Sequence, residues 1–184
     1  MYTDTGKELR RRWNYTVRAV FLRYVSVTVE TAVIEPGDDT HIEDAWSIKE
    51  EIRKRDGVLK QRRGFFFTAF RQAKTHIIKS ADGSDLIGFA STREGGYLLF
   101  LAVAPDYQGQ GFGRELVAAV AESHDVLTCH ARVTNQRALD FYDSMGFEII
   151  REIPGYYEDG GDAYYLRLGE ETSVRSRLVR LFQS

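Results

Sequence analysis

The most constraining feature of the sequence is an apolar run that passes directly into a glycine-rich loop. Tyr97–Val103 is apolar throughout, which is typical of a central β-strand covered on both faces. Pro105-Asp106 ends this strand, and the glycines of Gln108–Gly113 follow. After the loop, apolar residues recur on one helical face. A strand, a glycine loop and a helix in this order predict a site at which the helix N-terminus binds phosphate.

The pattern along the rest of the chain predicts an α/β fold, in which a mixed central sheet of about six to seven strands is flanked by helices. Strands are expected over residues 25–34, 75–79, 85–92, 97–103, 126–133, 147–153 and 162–168. Helices are expected over residues 7–24, 41–55, 64–73, 113–123 and 136–145. We therefore expect one domain over residues 25–169, a helical extension over 1–24 and an amphipathic segment over 170–184.

Composition argues against several classes of protein. The formal net charge of −2 provides no overall attraction to nucleic acid or to an anionic membrane. The single cysteine cannot form an intramolecular disulfide, and the four histidines show no ligand spacing, so we expect no metal. No apolar run has the length of a membrane span, and the N-terminus is unlike a signal peptide. We expect a soluble cytoplasmic monomer or homodimer that binds neither nucleic acid nor membrane.

Three phosphate-binding signatures can be compared with the loop. A nucleotide P-loop requires Lys-Ser or Lys-Thr after the last glycine, where this chain has Arg114-Glu115. A dinucleotide-binding loop requires glycine or alanine at the sixth position from Gly109, and Arg114 stands there. The pattern Q/R-x-x-G-x-G/A does fit, with Gln108, Gly111 and Gly113 in its defining positions. This is the pyrophosphate-binding signature of the GNAT acetyltransferase superfamily, which the chain resembles.

Two further features carry the resemblance. The strand before the loop ends in Ala102-Val103 and is followed by a Pro-Asp turn, as in that superfamily. Asn135, Tyr142 and Gly146-Phe147 then follow with the spacing of the branch that acetylates protein N-termini, to which the ribosomal-protein alanine acetyltransferases belong. The likeness extends over about residues 87–168.

The resemblance implies that acetyl-CoA is the cosubstrate and that its acetyl group passes to a primary amine by direct attack in a ternary complex. The residues that it assigns to acetyl-CoA are Leu101, Ala102, Val103, Gln108, Gly109, Gln110, Gly111, Phe112, Gly113 and Asn135. Tyr142 is the candidate general acid, because a phenol with a pKa of about 10 is protonated at neutral pH. Tyr156 and Tyr157 match the tyrosines that lie over the acceptor site in similar enzymes.

At the expected position of the general base, this chain differs from the enzymes that it resembles. The ribosomal-protein alanine acetyltransferases place a glutamate five residues before the asparagine, and this chain has His130 there. A histidine with a pKa of about 6.5 can accept a proton from an ammonium group. It can equally be a structural residue that makes hydrogen bonds.

Three interpretations of the function follow from the sequence. The first is acetylation of a protein or peptide N-terminal α-amine. The second is acetylation of a small amine, such as a polyamine, an aminoglycoside or an amino acid, and the charges near the expected acceptor site do not decide between the two. The third is a non-catalytic acyl-CoA-binding regulatory module.

Overall fold

The computed structural model of the protein describes residues 16–21 and 26–169. The strands are β1 (Thr16–Phe21), β2 (Ser26–Ile34), β3 (Lys74–Ser80), β4 (Leu86–Arg93), β5 (Tyr97–Val103), β6 (Leu127–Arg132), β7 (Glu148–Ile153) and β8 (Ala163–Leu168). The helices are α1 (Ile42–Asp56), α2 (Arg63–Arg71), α3 (Phe112–Ala121) and α4 (Gln136–Ser144). Short 3-10 turns at Glu94–Gly96 and Pro105–Tyr107 precede and follow β5.

The strands form one eight-stranded sheet in the order β1-β2-β3-β4-β5-β6-β8-β7. Strands β5 and β6 are parallel, whereas β1–β2, β2–β3, β6–β8 and β7–β8 are antiparallel pairs. The sheet is therefore mixed, as the sequence predicts. It has one strand more than the upper expectation, and the additional strand is β1.

The predicted N-terminal helix is wrong over Thr16–Phe21, which forms β1 and pairs with β2 along its whole length. Threonine, two valines and phenylalanine make up most of this segment, and these residue types favour strands. Pairing with β2 also satisfies the backbone groups on the side of the segment that faces β2, so tertiary context overrides a helical apolar spacing. The rest of the predicted helix and the C-terminal segment 170–184 lie outside the described residues.

The chain divides into two compact units. The first contains the described residues up to Ser91 together with Leu101–Leu116, and the second contains Thr92–Phe100 and the described residues from Val117 onward. In the first unit, the rings of Phe66, Phe70 and Phe89 are fully buried, and their centroids lie within 6.1 Å of one another. Edge and tilted ring contacts of this kind stabilise a core by about 1 kcal/mol per pair beyond the area that they bury.

Gly88 allows β4 to approach the end of β5 closely within the first unit. A Cβ atom at Gly88 would lie 2.8 Å from the carbonyl oxygen of Ala102 and 3.3 Å from the Cα atom of Val103. The backbone N–H of Ala104 donates to the carbonyl oxygen of Ile87 at 2.8 Å. These contacts fix the end of β5, and with it the start of the glycine loop, against β4.

In the second unit, β6 and β8 pair along their whole length, and β8 pairs with β7 across a bulge between Ile149 and Arg151. Strands β5 and β6, in contrast, do not pair along their whole length. Tyr97 with Thr128 is their one registered pair in the part of the chain that the structure describes. The hydrogen-bonded ladder between β5 and β6 is therefore short.

The two faces of β5 are not covered equally, contrary to the expectation from its apolar sequence. Leu98, Phe100 and Ala102 are buried, whereas the alternate residues, including Leu101 and Val103, are half-buried. The apolar run thus combines a core face with a face that is partly open. An apolar surface of this kind is a typical lining for the apolar part of a ligand.

Within residues 16–21 and 26–169, no helix is long and apolar enough to cross a membrane. The same residues contain no group of three His, Cys, Asp or Glu side chains that could hold a metal ion. The expectations of a metal-free protein and of a cytoplasmic location stay predictions.

Candidate active site

The glycine loop lies in the first unit, between the turn Pro105–Tyr107 and α3. Gly109 and Gly111 have φ angles of 78° and 93°, and residues with a side chain rarely adopt this conformation. A Cβ atom at either position would meet nothing within 4 Å. The backbone conformation, rather than crowding, therefore requires glycine at both positions. Helix α3 begins directly afterwards at Phe112, whose side chain is buried.

Five consecutive backbone N–H groups of this loop, those of residues 109–113, have no hydrogen-bond partner among the described residues. The carbonyl oxygen of Gly111 accepts from the N–H groups of Arg114 and Glu115, which starts the helix. Unpaired N–H groups at the positive end of a helix dipole attract anions. The loop that the sequence assigns to a cofactor phosphate therefore has the geometry of an anion site.

The side chains of both loop glutamines fold back onto the preceding backbone. Nε2 of Gln108 donates to the carbonyl oxygen of Val103 at 2.8 Å, and Nε2 of Gln110 donates to that of Asp106 at 3.0 Å. Oε1 of Gln108 accepts from Nη2 of Arg55, at the end of α1, at 2.6 Å. The carboxamide of Gln108 is thus occupied within the protein, where it orders the loop and leaves the backbone N–H groups for a ligand.

In the second unit, His130 of β6 contacts three tyrosines. Its Nδ1 atom lies 2.9 Å from Oη of Tyr97, which in turn lies 3.2 Å from Oη of Tyr156. The ring of Tyr156 stacks on the imidazole, with a centroid distance of 4.2 Å and an interplanar angle of 11°. The ring of Tyr165 lies 5.1 Å from the imidazole, at a tilt. These contacts fix the orientation of the imidazole.

The surroundings of His130 favour its neutral form. Burial lowers the pKa of His130, and the positive charge of Arg151 lowers it further. Burial also raises the pKa of Tyr97, with the Tyr156 hydroxyl as the second cause, so Tyr97 keeps its proton. When Nδ1 of His130 donates to Oη of Tyr97, Nε2 has a lone pair that can accept a proton. This arrangement suits the role of general base.

The structure brings Tyr156 to His130, whereas Tyr157 has different neighbours. The ring of Tyr157 lies 3.9 Å from the guanidinium carbon of Arg132, and Arg132 forms an ion pair with Asp159 at 2.9 Å. Burial raises the pKa of Tyr157 to about 12. Tyr156 remains 42% exposed. Both rings contact side chains of β6, so the loop between β7 and β8 is held over this strand.

Tyr142, the candidate general acid, lies on the opposite face of β6 from His130. Its hydroxyl lies near the thiol of Cys129, and neighbouring strand residues such as Cys129 and His130 point to opposite faces. The side chain is only 8% exposed. Burial raises the pKa of Tyr142 far above its ordinary value, so the hydroxyl is protonated at neutral pH. The two residues that the sequence proposes for proton transfer are therefore not direct neighbours.

Asn135 caps α4, as the sequence predicts. Its Oδ1 atom accepts from the backbone N–H of Ala138 at 3.2 Å. Its Nδ2 group has no hydrogen-bond partner in residues 16–21 and 26–169. The Nδ2 group is therefore the part of the Asn135 side chain that can donate a hydrogen bond to a ligand.

Sequence reasoning missed two residues of this geometry, Tyr97 and Arg55. Tyr97 begins an apolar strand and therefore resembles a core residue. Its parallel pairing with Thr128, two positions before His130, brings it to the histidine, and no sequence signal shows this register. Arg55 is separated from Gln108 by 53 positions and lies in a helix of mixed charge, so no sequence signal connects the two.

Known proteins resemble this chain over part of its length. Residues 72–149, less than half of the chain, match the family model of the acetyltransferase (GNAT) domain. Peptidyl-lysine N-acetyltransferase YiaC from Escherichia coli is 37% identical over 65 residues, which cover 35% of this chain and 44% of YiaC. N-alpha-acetyltransferase 30 from Saccharomyces cerevisiae is 33% identical over 91 residues, 46% of this chain and 52% of that protein. The chain spans about half the length of these relatives, or less.

Solved structures confirm the predicted fold. The ribosomal-protein-S18-alanine N-acetyltransferase from Escherichia coli superimposes with a TM-score of 0.57 at 23% identity, over 77% of this chain and 98% of that chain. A chain of the NatC complex bound to Gag peptide and CoA superimposes with a TM-score of 0.52 at 26% identity, over 75% of this chain and 98% of that chain. The fold is that of the GNAT acetyltransferases, with a mixed sheet flanked by helices.

Proposed function

We propose that the protein is an acetyl-CoA-dependent N-acetyltransferase whose acceptor is the α-amine of a protein or peptide N-terminus. The observation that carries this proposal is the placement of the His130 imidazole, which is oriented by Tyr97 and stacked under the exposed ring of Tyr156. The match of residues 72–149 to the GNAT family model supports acetyl transfer as the reaction. The two relatives named above modify lysine side chains and N-terminal amines, so the choice of acceptor rests on the chemistry of the base.

Acetyl-CoA is the cosubstrate in this proposal. The N–H groups of residues 109–113 bind its pyrophosphate, and the half-exposed residues Leu101 and Val103 face its apolar pantetheine arm. The NatC structure contains CoA, which supports CoA as the ligand of this fold.

The reaction requires two proton transfers, and the described residues can perform both. The amine nitrogen attacks the carbonyl carbon of the thioester, a C–N bond forms, and the C–S bond breaks. The proton that leaves the nitrogen goes to Nε2 of His130, and the leaving thiolate takes the hydroxyl proton of Tyr142.

The depressed pKa of His130 favours an α-amine as the acceptor. An N-terminal α-ammonium has a pKa of about 8, whereas a lysine ammonium has one of about 10.4. A base with a lowered pKa is therefore closer in pKa to an α-ammonium than to the ammonium group of lysine. The α-amine is partly neutral at pH 7 without any base, so a weak base is sufficient for it.

The test is an acetyl-transfer assay with acetyl-CoA and a mixed panel of acceptors, followed by mass spectrometry. The panel contains peptides with Ser, Ala, Thr or Met-Glu at the N-terminus, polyamines, aminoglycosides and free amino acids. We expect acetylated peptide N-termini. Transfer to small amines alone would reject the proposed acceptor. Binding of acetyl-CoA without transfer to any member of the panel would reject the enzyme and support a binding module.

A further inference from the structure

Arg55 connects the end of α1 to the first residue of the glycine loop. Its Nε and Nη2 atoms donate to the two carboxylate oxygens of Asp56, each at 2.7 Å. Its Nη2 atom also donates to Oε1 of Gln108 at 2.6 Å. Nε2 of Gln108 donates a hydrogen bond to the carbonyl oxygen of Val103. Because the guanidinium holds Oε1, it fixes the Nε2 end of the carboxamide toward the strand. Arg55 thereby takes part in ordering the loop.

The surroundings of Arg55 are acidic. The hydrogen bonds that Arg55 donates to Asp56 raise the pKa of Arg55, and the charges of Asp56, Glu51 and Asp106 act in the same direction. Asp106 lies in the turn that leads into the loop and is exposed. Without the guanidinium, these three carboxylates would place negative charge beside a loop that is suited to phosphate. They would then repel a bound phosphate.

We propose that Arg55 is a positioning residue of the phosphate-binding loop: its guanidinium neutralises the carboxylates of Asp56, Glu51 and Asp106 and holds the carboxamide of Gln108, so that the loop accepts the phosphates of CoA. The inference rests on the proposed function, because it takes CoA as the ligand. It adds a residue from α1 to a site that the sequence builds from residues 101–113 and from Asn135.

The test is isothermal titration calorimetry of CoA with the full chain at low and at high ionic strength. We expect Arg55→Gln to weaken CoA binding about tenfold at low salt, and the loss to shrink to about threefold near 0.5 M salt, where charges are screened within about 4 Å. Arg55→Lys keeps the positive charge but loses the paired guanidinium hydrogen bonds to Asp56 and Gln108. We therefore expect it to lose less CoA affinity than Arg55→Gln. The double variant Arg55→Gln with Asp56→Asn recovers part of the affinity, because it removes one of the three carboxylates while Gln108 still lacks the guanidinium.

Arg53 provides the matched control. It lies in the same helical turn, is exposed, and forms an ion pair with Glu50 at 2.7 Å without contacting the loop. Arg53→Gln changes the overall charge by the same amount, and we expect it to leave CoA affinity within about twofold of the wild type. Thermal unfolding of every variant shows whether the fold is retained.

Equal CoA affinity of the wild type and Arg55→Gln would overturn this inference and leave the proposed function in place. Failure of Asp56→Asn to restore affinity in a folded double variant would also overturn it. If the wild type itself does not bind CoA, both the proposed function and the inference are rejected. Failure of the inference alone can therefore be distinguished from failure of the proposed function.

Discussion

Removal of the Tyr97 hydroxyl by Tyr97→Phe tests whether Tyr97 and His130 act as one unit. In the proposed mechanism, Nδ1 of His130 donates to Oη of Tyr97 across 2.9 Å, which leaves Nε2 as the proton acceptor. Phenylalanine keeps the ring and its contacts but removes the acceptor oxygen. Nδ1–H then loses its partner in a half-buried position, and the imidazole can adopt the other tautomer or another orientation.

The magnitude of the effect follows from one hydrogen bond. A neutral hydrogen bond contributes about 1 kcal/mol net, and an unpaired buried donor costs about 1–3 kcal/mol. Because Tyr97 is half-buried, we take the lower part of this range, about 1–2 kcal/mol, which corresponds to about a five- to thirtyfold loss in kcat. Loss of a general base by His130→Ala costs more, about a hundredfold or more.

The assay is CoA release measured with a peptide acceptor for the wild type, both single variants and the double variant. If Tyr97 acts through His130, Tyr97→Phe causes no additional loss once His130 is alanine. An equal loss in both backgrounds would refute this reasoning, because it would show that the Tyr97 hydroxyl acts on the reaction independently of His130. A change in the KM for acetyl-CoA without a change in kcat would also contradict it.

Three further predictions concern pH, the leaving group and the fold. A general base acts when it is neutral, so kcat should rise with pH through a pKa below the ordinary histidine value. Arg151→Gln should move this limb to higher pH, and an unmoved limb would exclude His130 as the base. Tyr142→Phe should lower turnover by about a hundredfold while acetyl-CoA affinity, measured by calorimetry, changes little; full turnover would remove the acid role. A Cβ atom at Gly96 would overlap the carbonyl oxygen that precedes β6, and its φ is 78°. Gly96→Ala should therefore lower the free energy of unfolding by about 3 kcal/mol; the control Gly95→Ala, with a φ of 80° and open space, should lose only about 1 kcal/mol, and equal losses would contradict the steric argument.

Local signals were sufficient to predict most of the elements and the loop. Strand β5, the glycines of the loop and the cap of α4 each depend on residues that are close in sequence, and the structure has all three. The segment Thr16–Phe21 was predicted wrongly because its apolar spacing is compatible with a helix. Its partner strand β2, which decides the outcome, lies outside any local window.

The contacts that define the chemistry could not be predicted in the same way. The contact between Tyr97 and His130 joins residues 33 positions apart, and it depends on the parallel register of β5 and β6. Sequence motifs therefore suggested residue types for the proposed reaction, while the pairing of strands determines which of them touch.

The central claim is tested most directly by the position of the acetyl group on a peptide that carries both a free N-terminal α-amine and an internal lysine. Tandem mass spectrometry after incubation with acetyl-CoA assigns the modified nitrogen, and a His130→Ala sample run in parallel reports the contribution of the proposed base. The account predicts acetylation at the α-amine, strongly reduced in the variant. Acetylation of the lysine, or equal α-amine acetylation by the variant, would contradict it.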